Sequence, residues 1–188
     1  MRASTQVHPT PWQTYSRPLD GLRLRPATAG DVVELAALKR RVETATYGHL
    51  GTPDALAVRL HRRCTGWYLL TRIGEGDLVL VAEMRDRLIG MAAASLQPGP
   101  VLTLHSAYVE HAGYGAGRAL TAARLEAADR LGVTDVVADC LVGVPEAAAR
   151  LAALGMIEIG RSESPTFPGV DVSHWSGKVG TALERATS

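Results

Sequence analysis

The segment that most constrains the fold of this chain runs from Val101 to Gly132 and reads as strand, glycine-rich loop and helix. Its first part, 101–109, is rich in branched and aromatic residues and lacks Gly and Pro, which predicts a β-strand. From Arg118 apolar residues recur at helical spacing up to the closing glycine, which predicts a helix. The loop between them contains Gly113, Gly115 and Gly117.

A strand, a glycine loop and a helix in this order can hold a phosphate. Glycine has no Cβ, so the backbone can approach a ligand closely, and the start of the helix adds free N–H donors and the positive end of its dipole. A dinucleotide loop would need G-x-G-x-x-G with an acid about 20 residues further on, and a nucleoside-triphosphate loop would need G-x-x-x-x-G-K-[ST]. Neither pattern fits. The loop is therefore either a tight turn or a site for another phosphate-bearing ligand, and the pyrophosphate of coenzyme A fits.

Composition excludes several classes of protein. The chain is 46% hydrophobic with a net charge of +1 and only 5% aromatic residues, which argues against nucleic-acid binding. No apolar run approaches the roughly 18 residues of a membrane span, and no apolar signal core begins the chain. Cys64 and Cys140 lack C-x-x-C spacing, so we expect reduced thiols in a cytoplasmic protein. No spacing of His, Cys, Asp and Glu suggests a metal.

The chain divides into three parts. Residues 1–20, rich in Pro, Ser, Thr and Gln, are predicted to form an extended or partly disordered arm. Residues 21–180 have the size and pattern of a single domain. Residues 181–188 are predicted to be a C-terminal tail.

The other elements of the domain follow from periodicity and from helix start signals. In chain order they are a strand over 22–26, a helix from Asp31 to about Glu43, a helix from Pro53, a hairpin of strands 78–83 and 87–96, a buried strand over 133–141, a helix from Pro145, and closing strands over 156–159 and 170–179. The loop 162–169, with Phe167 at its tip, is predicted to cover a site.

Four pieces of the sequence resemble the GNAT superfamily of N-acetyltransferases. They are LRLRPATAGD, LVLVAEMRDRLIGMAAASL, AYV followed by GYGAGRAL, and ARLAALGMIEIG, spread over Leu22 to Val179. The resemblance implies an α/β fold with a mixed, mostly antiparallel sheet and helices on both faces. It also implies acetyl-CoA or another acyl-CoA as cofactor, an amine as acceptor, and a homodimer as a common assembly.

The resemblance also implies which residues hold the cofactor. The strand before the loop would offer backbone N–H groups near the thioester, and the loop with the helix start would hold the pyrophosphate. The family's Gln or Arg before the glycines is Ala112 or Glu110 here, depending on register, which leaves the backbone amides as donors. The implied residues are Ala107, Tyr108, Val109, Gly113, Tyr114, Gly115, Ala116, Gly117, Arg118 and Ala119.

Acyl transfer to an amine requires a base for the amine, donors for the carbonyl oxygen and a proton for the departing thiolate. The family's usual proton donor is a Tyr on the last helix, and Leu151 occupies that position here. Candidate substitutes are His105 and Tyr108, although a lone strand His is more often structural. Candidate acceptor contacts are Tyr47, His49, Glu83, His174 and Trp175.

The sequence therefore predicts an acyl-CoA-dependent N-acyltransferase that acts on a small-molecule amine by direct attack in a ternary complex. Two alternatives stay open because of Leu151: a catalytically degenerate acyl-CoA-binding module, and a different reaction on the same fold.

Overall fold

The computed structural model describes residues 21–97, 100–110 and 114–188, and the described residues form a seven-stranded sheet of order β1-β2-β3-β4-β5-β7-β6. β4 and β5 pair in parallel, and every other neighbouring pair is antiparallel. The predicted N-terminal arm, 1–20, lies outside the described residues. The strands are β1 (Leu22–Pro26), β2 (Leu78–Met84), β3 (Arg87–Gln97), β4 (Val101–Val109), β5 (Asp135–Leu141), β6 (Ile157–Glu163) and β7 (Asp171–Lys178).

Helices cover both faces of this sheet. One side, the α1 face, packs Leu35 and Leu69 against Val81 and Met91, and the other side, the α4 face, packs Leu120 against the sheet. The mixed, mostly antiparallel α/β fold predicted from the sequence is confirmed. The helices are α1 (Val32–Tyr47), α2 (Pro53–Arg63), α3 (Gly66–Gly74), α4 (Ala116–Arg130), α5 (Pro145–Ala153) and α6 (Val179–Thr187).

Two helices were not predicted. α3 begins and ends with glycine, which hides it in the sequence, yet the Thr65 side chain caps it by accepting from the Tyr68 N–H at 3.2 Å. Residues 181–188, predicted as a tail, lie almost entirely in α6. This helix buries Ala182 and Ala186 in the core between α4 and the sheet, so it belongs to the domain.

A β-bulge interrupts β4. His105 and Ser106 together lie opposite Ala93 of β3, so β4 carries one extra residue there. The bulge shifts the alternation of side chains: Leu104 faces α4 before it, whereas Tyr108 faces α1 after it. The bulge therefore decides which residues of β4 meet each face.

A buried arginine of α4 lies under this bulge. Arg124 donates from Nη1 to the Ala93 carbonyl at 3.0 Å and to the His105 carbonyl at 3.5 Å. Burial lowers the pKa of Arg124 to about 10. The guanidinium thus satisfies carbonyl groups that the irregular strand pairing leaves inside the protein.

Within the described part of the chain, none of the helices combines the length and apolar character that a membrane crossing requires. The cytoplasmic location expected from the sequence stays a prediction.

Candidate functional site

The two parallel strands part inside the sheet. Their pairing runs from Val101 with Asp135 to Leu104 with Ala138. Beyond that point β4 continues beside β3 alone, and β5 continues beside β7 alone. The carboxyl ends of β4 and β5 therefore enclose a split in the sheet, and ligands of open α/β sheets bind at such carboxyl ends.

Backbone groups of β4 point into this split. The Glu110 N–H donates to the Ile89 carbonyl of β3 at 2.9 Å. Because successive residues of a strand direct their N–H and C=O groups to opposite sides, Tyr108 also faces β3, whereas Ala107 and Val109 face the split. Ala107 is exposed in the second half of an otherwise largely covered strand. The split is thus lined by polar backbone with little side-chain cover.

The start of α4 lies beside the end of β4. Gly115 precedes the helix with a φ of +70°, a conformation that favours glycine. The first N–H groups of α4 have no partner within the helix and point out of its start. A Cβ at Gly117 would lie 3.5 Å from Cγ2 of Val109, so the first helical turn adjoins the mouth of the split.

The structure brings half of the ten predicted cofactor residues together here. Ala107, Val109, Gly115, Ala116 and Gly117 all lie at the split or at its mouth. The side chains of Arg118, Tyr114 and Ala119 lie away from the split, and all these assignments remain predictions.

Arg118 donates from Nε to the Ala186 carbonyl of α6 at 2.8 Å, so its side chain turns away from the loop. Tyr114 is largely exposed, and Ala119 packs in the core under α4. Gly113 lies outside the described residues.

A buried ion cluster, formed by Lys39, Glu43, Arg59 and Tyr108, supports β4 from the α1 face. The Tyr108 hydroxyl donates to Oε1 of Glu43 at 2.5 Å, and Arg59 Nε donates to Oε2 at 2.7 Å. Lys39 Nζ lies 3.7 Å from the same carboxylate and donates to the Arg63 carbonyl at 2.7 Å. Burial raises the pKa of Tyr108 well above its usual value and lowers that of Lys39 to about 8.

This cluster ties the end of β4 to α1 and α2, and Tyr108 lies between the two residues whose backbone faces the split. The sequence analysis singled out Tyr108 but missed Lys39, Glu43 and Arg59. Their only local signal is that Lys39 and Glu43 follow Leu35 at four-residue intervals, on the stripe of α1 that faces the core.

Two loops close over the α1 face beyond this cluster. Phe167, in the β6–β7 loop, is fully buried, and its ring centroid lies 6.4 Å from that of Tyr47. The Arg59 guanidinium lies 4.4 Å above the Tyr47 ring. His49 Nε2 lies 3.1 Å from the Gly143 carbonyl, which joins the α1–α2 loop to the β5–α5 loop. The loop 162–169, which the sequence predicted to cover a site, contacts Tyr47 through the buried Phe167.

Gly51 should be intolerant of a side chain, because a Cβ there would lie 2.8 Å from Cδ1 of the buried Phe167 ring. We expect Gly51→Ala to lower the free energy of unfolding by about 1–3 kcal/mol through overpacking. Urea denaturation followed by tryptophan fluorescence measures it. Gly74→Ala is the matched control, since its Cβ would meet nothing within 4 Å. Equal stability of the two variants would contradict the prediction.

His105, a candidate base, lies at the bulge on the α1 face. Its Nε2 is 2.6 Å from the Ser95 hydroxyl. Burial, followed by the positive charges of Arg72 and Arg63, lowers the pKa of His105 to about 4. The imidazole is therefore neutral at physiological pH and a weak base, and its catalytic role stays a prediction.

The remaining candidates are dispersed. Trp175 is buried on the α4 face, where Nε1 donates to the Ser173 hydroxyl at 2.9 Å. His174, the preceding residue, points to the α1 face, as strand alternation requires. Glu83 lies on β2, two strands from β4, and accepts from Arg25 Nε at 2.9 Å. Glu83 and His174 both lie on the α1 face, and His174 is the nearer to the split, one strand from β5.

The position of the family's usual proton donor is occupied by the apolar Leu151, and its surroundings are apolar too. Leu151 of α5 is partly buried and packs against the core between α4, α6 and the sheet. In the described ranges no group of three or more His, Cys, Asp and Glu side chains is arranged to hold a metal.

The two thiols should differ in reactivity. Cys64 is 2% exposed, and burial raises its pKa to about 11. Because the thiolate is the reactive form, we expect Cys64 to react with a disulfide reagent at pH 8 at least about 100-fold more slowly than an ordinary thiol. Peptide mass spectrometry of labelled protein should find the label on Cys140 until denaturant is added. Rapid labelling of Cys64 in the native protein would contradict this.

No protein-family model matches the sequence, and neither does any curated protein. Solved structures do match. A ribosomal-protein-alanine N-acetyltransferase from Brucella melitensis is 25% identical, with a TM-score of 0.65 over 83% of this chain and 99% of that one. The PaiA N-acetyltransferase of Thermoplasma acidophilum, in complex with coenzyme A, is 16% identical, with a TM-score of 0.70 over 84% and 98%. A GNAT-superfamily phosphinothricin acetyltransferase from Sinorhizobium meliloti, in complex with acetyl-CoA, is 24% identical, with a TM-score of 0.62 over 85% and 89%.

This chain therefore shares the fold of the matched N-acetyltransferases. One of these structures is a GNAT-superfamily enzyme, so the fold agrees with the resemblance that the four sequence pieces carry.

Proposed function

We propose that this protein is an acyl-CoA-dependent N-acyltransferase, with acetyl-CoA or another acyl-CoA as donor and a small-molecule amine as acceptor. One observation carries the proposal. The split beyond Leu104 and Ala138 presents the backbone of Ala107 and Val109, and the glycine-led start of α4 lies at its mouth. A single ligand with a phosphate end and an amide-rich arm would use both features.

The residues present fit such a cofactor. The N–H groups of Ala116 and Gly117 would hold the pyrophosphate, and the space at the Gly117 Cβ position is open apart from Val109 at 3.5 Å. When bound, acyl-CoA supplies an acyl group activated as a thioester. The N–H groups of Ala107 and Val109 would stabilise the negative charge that develops on the carbonyl oxygen.

The acceptor would approach from the α1 face. There the buried Phe167 ring packs against Tyr47, so the β6–β7 loop covers part of this face. This closure supports a small molecule. Both classes of acceptor occur among the matched structures, since one is named for a ribosomal protein and another for phosphinothricin.

Attack by the amine on the thioester within a ternary complex requires no covalent enzyme intermediate. It does require proton transfer at both ends. Leu151 cannot donate a proton to the departing thiolate, so solvent or a group on the α1 face would supply it.

A second candidate function is a non-catalytic acyl-CoA-binding module. Leu151 favours it, because the position that usually supplies the proton donor carries an apolar side chain. Such a module would bind acyl-CoA without releasing free CoA in the presence of amines.

One experiment tests both candidates. Calorimetry with CoA and acetyl-CoA measures binding, and thiol release across a panel of small primary amines measures turnover, with the acylated products identified by mass spectrometry. We expect binding and amine-dependent thiol release, with Michaelis constants in the usual range of about 1 μM to 1 mM. Binding without thiol release would favour the module. Absence of binding would overturn both candidates.

A homodimer, expected from the resemblance, also remains a proposal. The edge strand β6 supports it, because all of its residues are exposed and Ile157 and Ile159 are 67% and 62% exposed. Light scattering after size exclusion would decide, and Ile157→Lys should yield monomers if β6 forms the interface.

A further inference from the structure

The buried arginine of α4 carries a charge that hydrogen bonding alone does not require. Arg124 is 2% exposed. Its hydrogen bonds go to three backbone carbonyls and to the Thr121 hydroxyl, so none of these partners is a carboxylate. A neutral donor could satisfy the same carbonyls, whereas an unpaired buried charge costs stability. The charge of Arg124 therefore calls for a role beyond hydrogen bonding.

Arg124 stays charged in spite of its burial. Burial alone lowers the pKa of its guanidinium, to about 10, which is still above physiological pH. The titratable side chain at the bulge is His105, on the opposite face of the sheet. Burial there lowers the pKa of His105 to about 4, so the imidazole is neutral. Arg124 thus places a positive charge beside the bulge over the whole physiological range of pH.

The guanidinium lies near the closed end of the split. Its Nη1 reaches the carbonyls of Ala93 and His105, in the seam between β3 and β4. His105 directly follows Leu104, the last residue of β4 that pairs with β5. Because neighbouring strands are about 4.8 Å apart, the charge lies within about 10 Å of the split, across a single strand.

The reactive end of the proposed cofactor would lie at this closed end. A pyrophosphate at the start of α4 places the arm of the cofactor at the mouth of the split, beside Val109. From there the arm would extend past Ala107 toward Leu104 and Ala138, where the two strands pair. Leu151 packs against the cluster that contains these last two residues, so the closed end is apolar.

Departure of the thiolate therefore takes place without a proton donor from α5. Because Leu151 occupies the position of the family's usual donor, negative charge on the sulfur needs another source of stabilisation. A fixed positive charge in apolar surroundings stabilises a developing anion without any proton transfer.

We propose that Arg124 is the cation that stabilises the departing thiolate, acting across β4 without touching the cofactor. The inference rests on the proposed function. The amine nitrogen bonds to the acyl carbon, the C–S bond breaks, and its electron pair stays on sulfur. Water takes the proton of the amine and later returns a proton to the thiolate, so the net products are an amide and a thiol. Arg124 exchanges no proton and is a positioning residue.

The test compares the affinity for CoA with the affinity for desulfo-CoA, which lacks the thiol, and it needs no turnover. An ordinary thiol has a pKa of about 8.5, and a positive charge about 10 Å away lowers it by about one unit at the effective dielectric of a protein. A group whose pKa is lowered on binding binds more tightly as the pH rises. In the wild-type protein, calorimetry should therefore show the ratio of the two affinities rising about fivefold from pH 7 to pH 9.

Two variants remove the charge in different ways. Arg124→Gln keeps an amide donor, and Arg124→Met keeps a long apolar side chain. In both, the ratio should change by less than about twofold over the same pH range, and kcat should fall about 10-fold at unchanged KM for the amine. Arg130→Gln, which removes a charge from the exposed end of the same helix, is the control and should match the wild type. Circular dichroism confirms that each variant is folded.

A flat ratio in the wild-type protein would overturn the inference, and that result does not depend on the folding of any variant. An unchanged rise in Arg124→Gln or Arg124→Met would overturn it as well, because the charge would then not act on the thiol. If neither CoA nor desulfo-CoA binds, the proposed function fails and the inference fails with it. The expected ratio without acylation of any amine would contradict the proposed function and still support the action of Arg124 on the thiol.

Discussion

Gly117→Glu should abolish CoA binding while leaving the fold intact or slightly more stable. The new carboxylate would lie in the first turn of α4, where the pyrophosphate is proposed to be held. Two like charges 4 Å apart repel by about 4 kcal/mol at the effective dielectric of a protein surface, so we expect a loss of affinity of at least about 100-fold. Calorimetry with CoA measures it.

Gly117→Glu should weaken CoA binding without lowering the stability of the protein, so loss of binding would not be a result of unfolding. A negative charge at a helix start interacts favourably with the helix dipole by about 0.3–1 kcal/mol, so Gly117→Glu should not lower the melting temperature. Gly117→Ala should bind CoA normally, because its Cβ meets Val109 at an ordinary 3.5 Å. Gly74→Glu places the same charge on the exposed end of α3 and controls for net charge. Retained binding in Gly117→Glu would show that the start of α4 does not hold the cofactor.

Glu43→Gln should cost about 3–5 kcal/mol of unfolding free energy, the largest effect expected from a single side chain here. Glu43 is fully buried, and its carboxylate accepts from Arg59 at 2.7 Å and from Tyr108 at 2.5 Å. Neutralising it leaves two buried cations, Arg59 and Lys39, without a counter-charge. Urea denaturation monitored by circular dichroism gives the difference.

Glu34→Gln is the matched control, since Glu34 is exposed on the same helix and should change stability by less than about 1 kcal/mol. Tyr108→Phe should be milder than Glu43→Gln, because it removes one hydrogen bond and no charge. If Glu43→Gln has the same midpoint urea concentration of unfolding as the wild type, the carboxylate does not balance the buried cations. Tyr108 would then not anchor β4 through it.

The same cluster shows a limit of reading a single sequence. Lys39 and Glu43 continue the inward stripe of α1, where a charged residue normally signals a solvated position. Their burial becomes acceptable only because Arg59 comes from α2 and Tyr108 from β4, at separations of 16 and 65 residues. Periodicity within one helix cannot report partners that distant.

Local chemistry, by contrast, was predicted well where a conformation depends on the residues themselves. The hairpin predicted from strands 78–83 and 87–96 is present as β2 and β3, joined by a two-residue turn of Arg85 and Asp86. Gly115 adopts the positive φ that only glycine tolerates readily. The strand β4 and the helix α4 therefore lie where the sequence predicts them.

The sequence by itself determined the seven strands, four of the six helices, the glycine-led start of α4 and the family that this order resembles, because each follows from short-range sterics and periodicity. Only the tertiary structure decided the rest. The bulge at His105 and Ser106 turns Tyr108 toward α1, the pairing of β4 with β5 ends at Leu104, and Arg124 of α4 reaches the carbonyls of Ala93 and His105. Each of these depends on strand register between distant segments, which hydrogen bonding and packing settle only when the whole sheet has formed.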